Sequence, residues 1–462
     1  MMKVFLCGIA GTGMSALAGL FKQKGFEVHG SDENFYPPVD KILERMDVRL
    51  YKGYDAANIP KDVDVCVIGN VISRGNPEAE YILNHDLEYY SMAEALYRFF
   101  IKGKQSIVVA GTHGKTTITS FISHLLSEAG LKPGFFIGGK PLDFDSNYNA
   151  GGGDYFVMEG DEYETSFFDR SSKFLKYHAK YLILTSLEYD HLDFFPSEAL
   201  YIKSFTNLVN QVPANGLIVV NGDFPMNRTV VEKAFTPVRF YGETGGDARI
   251  SNIQRDNDGY RFTIEYGGLS LDFLTPLLGR YNIWNLAAGI ELGLHLGIPY
   301  NTIRAAVQSF SGVERRLRPI NRLKNLVVLE DFAHHPTSIA NIVAGAKEAY
   351  PRHKIICAFE PRSWSLRRNF FQDRLADCFD LADTVVFKEV FQKERIPEGQ
   401  SLDVAAIRDK LRRQGKTVEI FDTYEQIKFY LGKLDVETPG ILLLISNGGF
   451  GDIPRYMKEM NL

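Results

Sequence analysis

Short apolar runs, each followed by a glycine- or acid-rich turn and then by an amphipathic stretch, recur from one end of the chain to the other. Ile107 to Ala110 form one such run, Gly111-Thr-His-Gly114 the turn, and Ile118, Phe121, Ile122 and Leu125 then fall at helical spacing. The pattern predicts a buried strand, a tight turn and a helix that starts at Lys115 and ends near Gly130. The N-terminus repeats it: a strand over Val4–Ile9, a turn over Gly8–Ser15, a helix from Ser15 to Lys24 closed by Gly25, and a strand over Glu27–Asp32. Asp64–Asn70 is another buried strand, and Ser91 with Glu94 makes a capping box for a helix running to Phe100. Farther on, strands are predicted to end at Glu159 and Ser186, and Arg261–Tyr266 with Leu269–Phe273 alternate with period two around Gly267-Gly268, a β-hairpin. After Gly312 the alternation restarts, with strands at 326–331, 355–360, 384–387, 418–421 and 441–445. Strand-helix alternation of this kind predicts the α/β class. The polar links divide it into three domains, 1–101, 102–312 and 313–462.

Length agrees with that division, because 462 residues exceed what one ordinary core organises. A hydrophobic content of 45% and a charged content of 24% are those of a globular protein, and a net charge of −5 gives no electrostatic case for nucleic acid. Glycines break the apolar run after Lys3, which argues against a signal peptide, and no segment reaches the ~18 apolar residues of a membrane span. Cys7, Cys66, Cys357 and Cys378 have no metal-binding spacing and read as free thiols in a reducing compartment. The expectation is a cytoplasmic protein with no membrane and no nucleic-acid partner.

The candidate chemistry centres on Gly111–Thr117. A strand, a glycine turn and a helix N-terminus together cradle phosphate: the turn's N–H groups and the helix dipole face the anion, Lys115 reaches the outer phosphates, and Thr116 ligates Mg²⁺. Val109 stands where the usual P-loop has its first glycine, so the loop is a shortened one. Glu159, at the tip of a neighbouring strand, offers the hard oxygen that completes an Mg²⁺ site, and His191 follows the next strand as a second metal ligand or a carboxylate-orienting group. Near the N-terminus, Gly11, Gly13 and Ala16 fit the G-x-G-x-x-A dinucleotide fingerprint and Asp32 sits near the ribose position. That places a diphosphate on the helix without choosing the nucleotide. Ser73 to Pro77 is a polar loop at a strand's carboxyl end, where open α/β sheets bind ligands. Asn282 and Asn285 lie one helical turn apart and suit either capping or a purine. Gly312–Arg318 reads as a basic hinge. His334-His335 is not read as a metal site, since adjacent side chains point apart and no third ligand lies near in sequence, and Arg362 with Arg367 forms a candidate carboxylate clamp.

Taken together, the loop Gly111–Thr117, Glu159, His191, Tyr281-Asn-x-x-Asn285, Arg316 after Gly312-Val, and Asp331-Phe-Ala-His-His-Pro336 resemble the Mur ligase family in residue type and order over essentially the whole chain. The resemblance implies a Rossmann-like UDP-binding domain, a P-loop ATPase-like central domain and a Rossmann-like C-terminal domain. It also implies a carbon–nitrogen ligase that uses ATP and two Mg²⁺ ions. In that reading Lys115, Glu159, His191 and Arg316 are catalytic. Gly111, Thr112, Gly114, Lys115, Thr116, Thr117, Asn282, Asn285, Arg316 and Asp331 bind ATP, while Thr116, Glu159 and His191 hold metal. Gly11, Thr12, Gly13, Met14, Ser15, Asp32, Ser73, Asn76 and His113 bind UDP-N-acetylmuramate, and Arg362, Arg367 and His335 bind the incoming amine. Ile68–Pro77, Glu159–Tyr163, Phe359–Ser363 and Ser446–Gly451 resemble the branch that attaches the tripeptide L-Ala-γ-D-Glu-meso-diaminopimelate in cell-wall recycling. The alternative is the branch that attaches L-alanine. Trp364-Ser365 departs from the Asn-Thr of the tripeptide branch, and Lys203 is out of register for the carbamoylated lysine of other branches. The protein is expected to be a monomer or homodimer.

Overall fold

The computed structural model describes residues 1–35, 39–190, 194–256, 259–435 and 437–460. Three sheets follow one another along the chain. The first has five strands in spatial order Arg49–Lys52, Glu27–Asp32, Lys3–Cys7, Val65–Ile68, Tyr89–Ser91, every neighbouring pair parallel. The chain starts in the middle of this sheet and builds outward on both sides, so the order reverses between Lys3–Cys7 and Val65–Ile68. Ligands sit at such a switch point, beyond the carboxyl ends of the two central strands.

The second sheet has ten strands. Its parallel centre is Val238–Gly242, Leu217–Asn221, Tyr181–Leu184, Gln105–Ala110, Tyr155–Gly160 and Gly134–Phe136. The predicted hairpin, Gly259–Tyr266 with Leu269–Thr275, extends one edge through Ala248–Asp256. Its turn residues Gly267 and Gly268 both have positive φ, 57° and 81°, the geometry of a tight hairpin turn. Helix Lys115–Glu128 packs against helix Tyr281–His295 through Phe121, Ile122 and Leu125 on one side and Leu286 and Ile290 on the other. Gly289 is required there, since a Cβ at that position would lie 2.5 Å from the Phe121 ring.

The third sheet has six strands, Arg318–Leu323, Leu326–Asp331, Gly440–Ile445, Lys354–Phe359, Thr384–Lys388 and Thr417–Phe421, with helices on both faces. The α/β class read from the sequence holds. Strands Leu217–Asn221, Val238–Gly242 and Ala248–Asp256 had no counterpart in the sequence reading, although Leu217-Ile-Val-Val220 is as apolar as the strands that were recognised. The capping box at Ser91 and Glu94 is present, with both reciprocal bonds made. The four cysteines are free and buried, and no described helix is long and apolar enough to cross a membrane.

Candidate functional site

Two cavities lie on either side of the glycine turn that follows strand Gln105–Ala110. One, of about 500 Å³, is lined by His113, Gly114 and Thr117 of the turn together with Trp284, Asn285, Arg316 and Asp331. The other, of about 330 Å³, runs from the N-terminal glycine turn, Gly11 to Met14, to Lys115, Glu159 and Asp161. Lys115 therefore faces the second cavity while its neighbours face the first.

The turn packs closely against its neighbours. Gly111 has φ +131°, and a Cβ on it would lie 2.1 Å from Thr185 Oγ1; Gly114 has φ +81°, and a Cβ would lie 2.2 Å from Asn285 Oδ1. Only glycine keeps both the backbone and the space. Thr112 braces the turn from behind: its Oγ1 donates to Glu188 O (3.0 Å), lies 2.9 Å from Tyr201 Oη and accepts from Glu188 N–H. Its side chain is a strut of the turn and is absent from the lining of both cavities.

Lys115 Nζ donates to Gly111 O at 2.6 Å and to Glu162 Oε2 at 3.0 Å. Burial works to lower its pKa, but the carboxylates of Glu162, Asp161 and Glu159 outweigh that and hold it raised, so the ammonium keeps its proton. Glu162, 1% exposed, went unrecognised as a partner in the sequence, one acid among several after Glu159. Thr116 Oγ1 donates to Glu159 Oε2 at 3.2 Å, and Gly138 N–H donates to Glu159 Oε1 at 2.6 Å. Burial raises the Glu159 pKa, against the Gly138 hydrogen bond and the charges of Lys115 and Arg316. A hydroxyl and a half-buried carboxylate so close together are the hard oxygen donors that Mg²⁺ takes, and the residues present fit that ion. His191, the other proposed ligand, lies outside the described residues.

The larger cavity carries an aromatic wall that the sequence reading missed. Phe224, Tyr241 and Trp284 line it, and Trp284 Nε1–H donates to Asp223 Oδ2 at 2.8 Å. Arg280 stacks on Trp284, 5.8 Å from the ring centre. Asn285 reaches this cavity but Asn282 does not. Asn282 is 4% exposed, its Nδ2 donates to Leu278 O at 2.7 Å, and its Oδ1 accepts from Asn285 Nδ2 at 2.9 Å. It orients Asn285 and closes the helix start, the capping use of the two open in the sequence.

The segment Gly312–Arg318 reaches the cavity through Arg316. Arg315 and Leu317 have φ of 60° and 47°, left-handed values that ordinary side chains rarely adopt. Asp331 holds that conformation: its Oδ2 accepts Leu317 N–H at 2.6 Å and its Oδ1 accepts Ala333 N–H at 2.8 Å. Between the two strained residues Arg316 is aimed into the cavity, with Nη2 3.5 Å from Thr116 Oγ1. Asp331 is 2% exposed, and burial pushes its carboxyl up to about 6 despite Arg316 and the two N–H donors.

At the N-terminal cavity, Gly11, Thr12, Gly13 and Met14 line the wall as read. The other five residues assigned to it are absent from its lining. Asp32 accepts from Ala10 N–H and Glu33 N–H, both at 2.8 Å, and so braces the glycine turn. Ser15 is buried with its hydroxyl on Thr12 O. Asn76 caps helix Pro77–Asn84, accepting from Glu78 and Ala79 N–H, and Ser73 is exposed outside both cavities. His113 is on the other side of the turn, in the larger cavity. Its Nε2 lies 3.2 Å from Glu188 Oε2 and its Nδ1 2.9 Å from Ser338 Oγ.

His335, read as a peptide contact, caps helix Pro336–Ala349 and lies 3.3 Å from the same Glu188 oxygen. Folding thus brings His113 and Glu188 to His335, the partners that linear spacing had excluded. Each has a protein partner: Thr337 Oγ1–H and His113 bond Glu188, and Thr337 N–H bonds His335 Nδ1. The cluster is a hydrogen-bonded latch between the second and third sheets. Burial would raise the Glu188 carboxyl, but the histidines and Thr337 hold it low; burial and His113 together hold His335 low. Arg362 and Arg367 stand farther along the third sheet. Arg367, 7% exposed, has no hydrogen-bond partner for Nε and Nη2 among the described residues, and its guanidinium lies over the Trp364 ring, 5.1 Å from its centre. Trp364, the residue that departs from the tripeptide branch, is a platform for this guanidinium.

Comparison with known proteins covers most of the chain. Residues 3–102 match the profile described as "Mur ligase family, catalytic domain", 109–293 "Mur ligase middle domain" and 315–446 "Mur ligase, glutamate ligase domain". The UDP-N-acetylmuramate–L-alanyl-γ-D-glutamyl-meso-2,6-diaminoheptandioate ligase of Escherichia coli K12 is 34% identical over 99% of this chain and 98% of its own length. The UDP-N-acetylmuramate–L-alanine ligase of Desulfitobacterium hafniense is 31% identical over 99% of both chains. Among solved structures, a murein peptide ligase from Psychrobacter arcticus superimposes over the full length of both chains with a TM-score of 0.73 at 28% identity.

Proposed function

The chain belongs to the Mur ligase family, and from that premise we propose that it joins UDP-N-acetylmuramate to the tripeptide L-Ala-γ-D-Glu-meso-diaminopimelate, with ATP as the energy source. The supporting observation is the pair of cavities on either side of the glycine turn, the smaller one lined by Lys115. A reaction between a nucleotide triphosphate and a UDP-sugar needs two pockets opening on one phosphate-handling group, and the glycine turn supplies that arrangement. The assignment of 1–101 to the UDP-sugar, 102–312 to ATP and 313–462 to the incoming peptide follows from the same layout. The relatives that support the tripeptide are similar to this chain over their full length.

In this reading the substrate carboxylate attacks the γ-phosphorus of ATP and ADP leaves; the amine of the peptide then attacks the acyl carbon and phosphate leaves. Phosphoryl transfer needs positioning and charge neutralisation more than covalent help. Lys115 supplies a positive charge already desolvated and held in place. Glu162 keeps it there until the triphosphate arrives. Thr116 and Glu159 would hold Mg²⁺, which when bound neutralises phosphate charge; a second ion at His191 belongs to the same proposal. Arg316 reaches the nucleotide from the hinge, and the latch between Glu188 and helix Pro336–Ala349 excludes water from the acyl phosphate, which water would destroy. Arg367 and Arg362 receive peptide carboxylates, and the cytoplasm, where UDP-sugars and ATP occur together, is the proposed place.

The test is phosphate release with UDP-N-acetylmuramate, ATP and Mg²⁺, comparing the tripeptide with L-alanine. Turnover with the tripeptide is the expected result. Turnover with L-alanine alone would refute the choice of acceptor and leave the ligase chemistry standing.

A further inference from the structure

A two-stranded hairpin, Glu164–Ser166 with Asp169–Ser172, leaves the carboxyl end of strand Tyr155–Gly160 and stands apart from the main sheets. Its tip residues Phe167 and Phe168 pack against the apolar core of the N-terminal sheet, with the Phe168 ring 5.1 Å from Tyr89. Its base returns the chain to the cavity. Lys173 N–H donates to Tyr163 O at 3.0 Å and Phe174 N–H to Asp161 O at 3.2 Å, so the residue after the hairpin is tied by its backbone beside the acids it faces. Lys173 is 8% exposed, lines the cavity that contains Lys115 and Glu159, and has its Nζ 2.7 Å from Asp161 Oδ2.

We propose that Lys173 is a substrate-binding residue, its ammonium receiving the carboxylate of the UDP-sugar; this rests on the assignment of that cavity to UDP-N-acetylmuramate. A buried lysine needs a counter-charge, and Asp161 already provides one. The placement inside a ligand cavity, not the ion pair, is the informative point. The substrate carries two anionic groups, a diphosphate and a carboxylate. The glycine turn at Gly11–Met14 offers N–H groups and a helix N-terminus, the usual seat of a diphosphate. The carboxylate is then left for the wall contributed by the second sheet, where Lys115 and Lys173 are the cations. Lys115 is required by the nucleotide and is held by Glu162. Lys173 has no such second task, and its partner Asp161 is 38% exposed at the side chain, free to share the ammonium with an arriving carboxylate. Docking of Phe167 and Phe168 on the N-terminal sheet fixes the hairpin, and so Lys173, relative to the diphosphate seat.

The experiment compares calorimetric binding of UDP-N-acetylmuramate and UDP-N-acetylglucosamine, which has the same nucleotide and hexosamine without the carboxylate, to the full chain and to Lys173→Met. A hydrogen bond between charged groups predicts a loss of about 10- to 100-fold for UDP-N-acetylmuramate, with UDP-N-acetylglucosamine unchanged. Equal loss for both ligands, or loss for neither, overturns the proposal. Lys173→Gln, which keeps the stem and a donor toward Asp161, carries the same comparison if Lys173→Met fails to fold. If the unaltered chain binds neither UDP-sugar, the cavity assignment itself falls, and that result is distinct from a failure of Lys173.

Discussion

Replacing Asp331 by Asn tests the hinge most sharply, because the effect should change with pH in a calculable way. Both oxygens of Asp331 accept backbone N–H groups, from Leu317 and Ala333. The amide keeps one acceptor and turns its other end into a donor, which faces an N–H. Losing that bond and stranding a buried donor costs about 1–3 kcal/mol. Against this, the wild-type carboxylate is itself costly. Its ordinary value is 3.8 and its folded value about 6. The folded state therefore holds the proton more tightly than the unfolded state, and this contribution to stability is complete below pH 3.8 and lost as pH rises through 6. The whole loss is about 3 kcal/mol, of which roughly 1.4 kcal/mol falls between pH 5 and pH 8. Asn does not titrate, so the penalty of Asp331→Asn should shrink by that amount from pH 5 to pH 8. Urea unfolding of both proteins at the two pH values, followed by tryptophan fluorescence, measures it; Trp284 and Trp364 report on the second and third sheets separately. A penalty that is constant with pH, or grows, would refute the account of Asp331 as a buried carboxylate raised by desolvation.

Other outcomes follow from the site. Gly114→Ala places a Cβ 2.2 Å from Asn285 Oδ1 at φ +81°; the backbone strain alone is about 1–2 kcal/mol, and ATP affinity measured by competition should fall about 10-fold with UDP-sugar affinity retained. Trp284→Leu removes an aromatic wall of the larger cavity and should raise the KM for ATP roughly 3- to 10-fold while the KM for the UDP-sugar stays the same. Asn76→Ala should cost about 1 kcal/mol of stability in urea through loss of a helix cap, with all KM values unchanged; a raised KM for the UDP-sugar would restore the ligand role that its bonds to Glu78 and Ala79 argue against.

The phosphate-handling loop was legible in the sequence because its chemistry is local: strand, glycine turn, lysine and helix are consecutive, and each leaves its own signature. The residues whose bonding the sequence does not decide are those for which one side chain serves two purposes equally well. Asn76 at a strand's carboxyl end is a good ligand and a good helix cap, and only the bonds to Glu78 and Ala79 N–H decide between them. Asp32 follows the same logic with Ala10. Asn282 and Asn285 share a helix face, yet one lies behind the other, a matter of depth that periodicity does not carry. Glu188, His113 and His335 are 75 and 147 residues apart along the chain and meet because strands Gln105–Ala110 and Tyr181–Leu184 are neighbours and helix Pro336–Ala349 lies across their ends. Phe224 and Tyr241 were missed with the strands that deliver them, although Leu217–Val220 followed by Asn221-Gly-Asp gave a readable signal.

The glycine turn has a bearing on inhibitor design. It is a partition with a cavity on each face, His113, Gly114 and Thr117 on one and Lys115 on the other. A compound confined to either chamber competes with one substrate and is outrun when that substrate accumulates. A compound that threads past the Lys115 ammonium occupies both chambers, so neither substrate alone displaces it. Its linker has to be anionic at that point, since it would pass the Lys115 ammonium. Inhibitor series grown from the nucleotide side should therefore gain most where they first carry a negative group through to Lys115, and extensions that arrive there neutral should gain little.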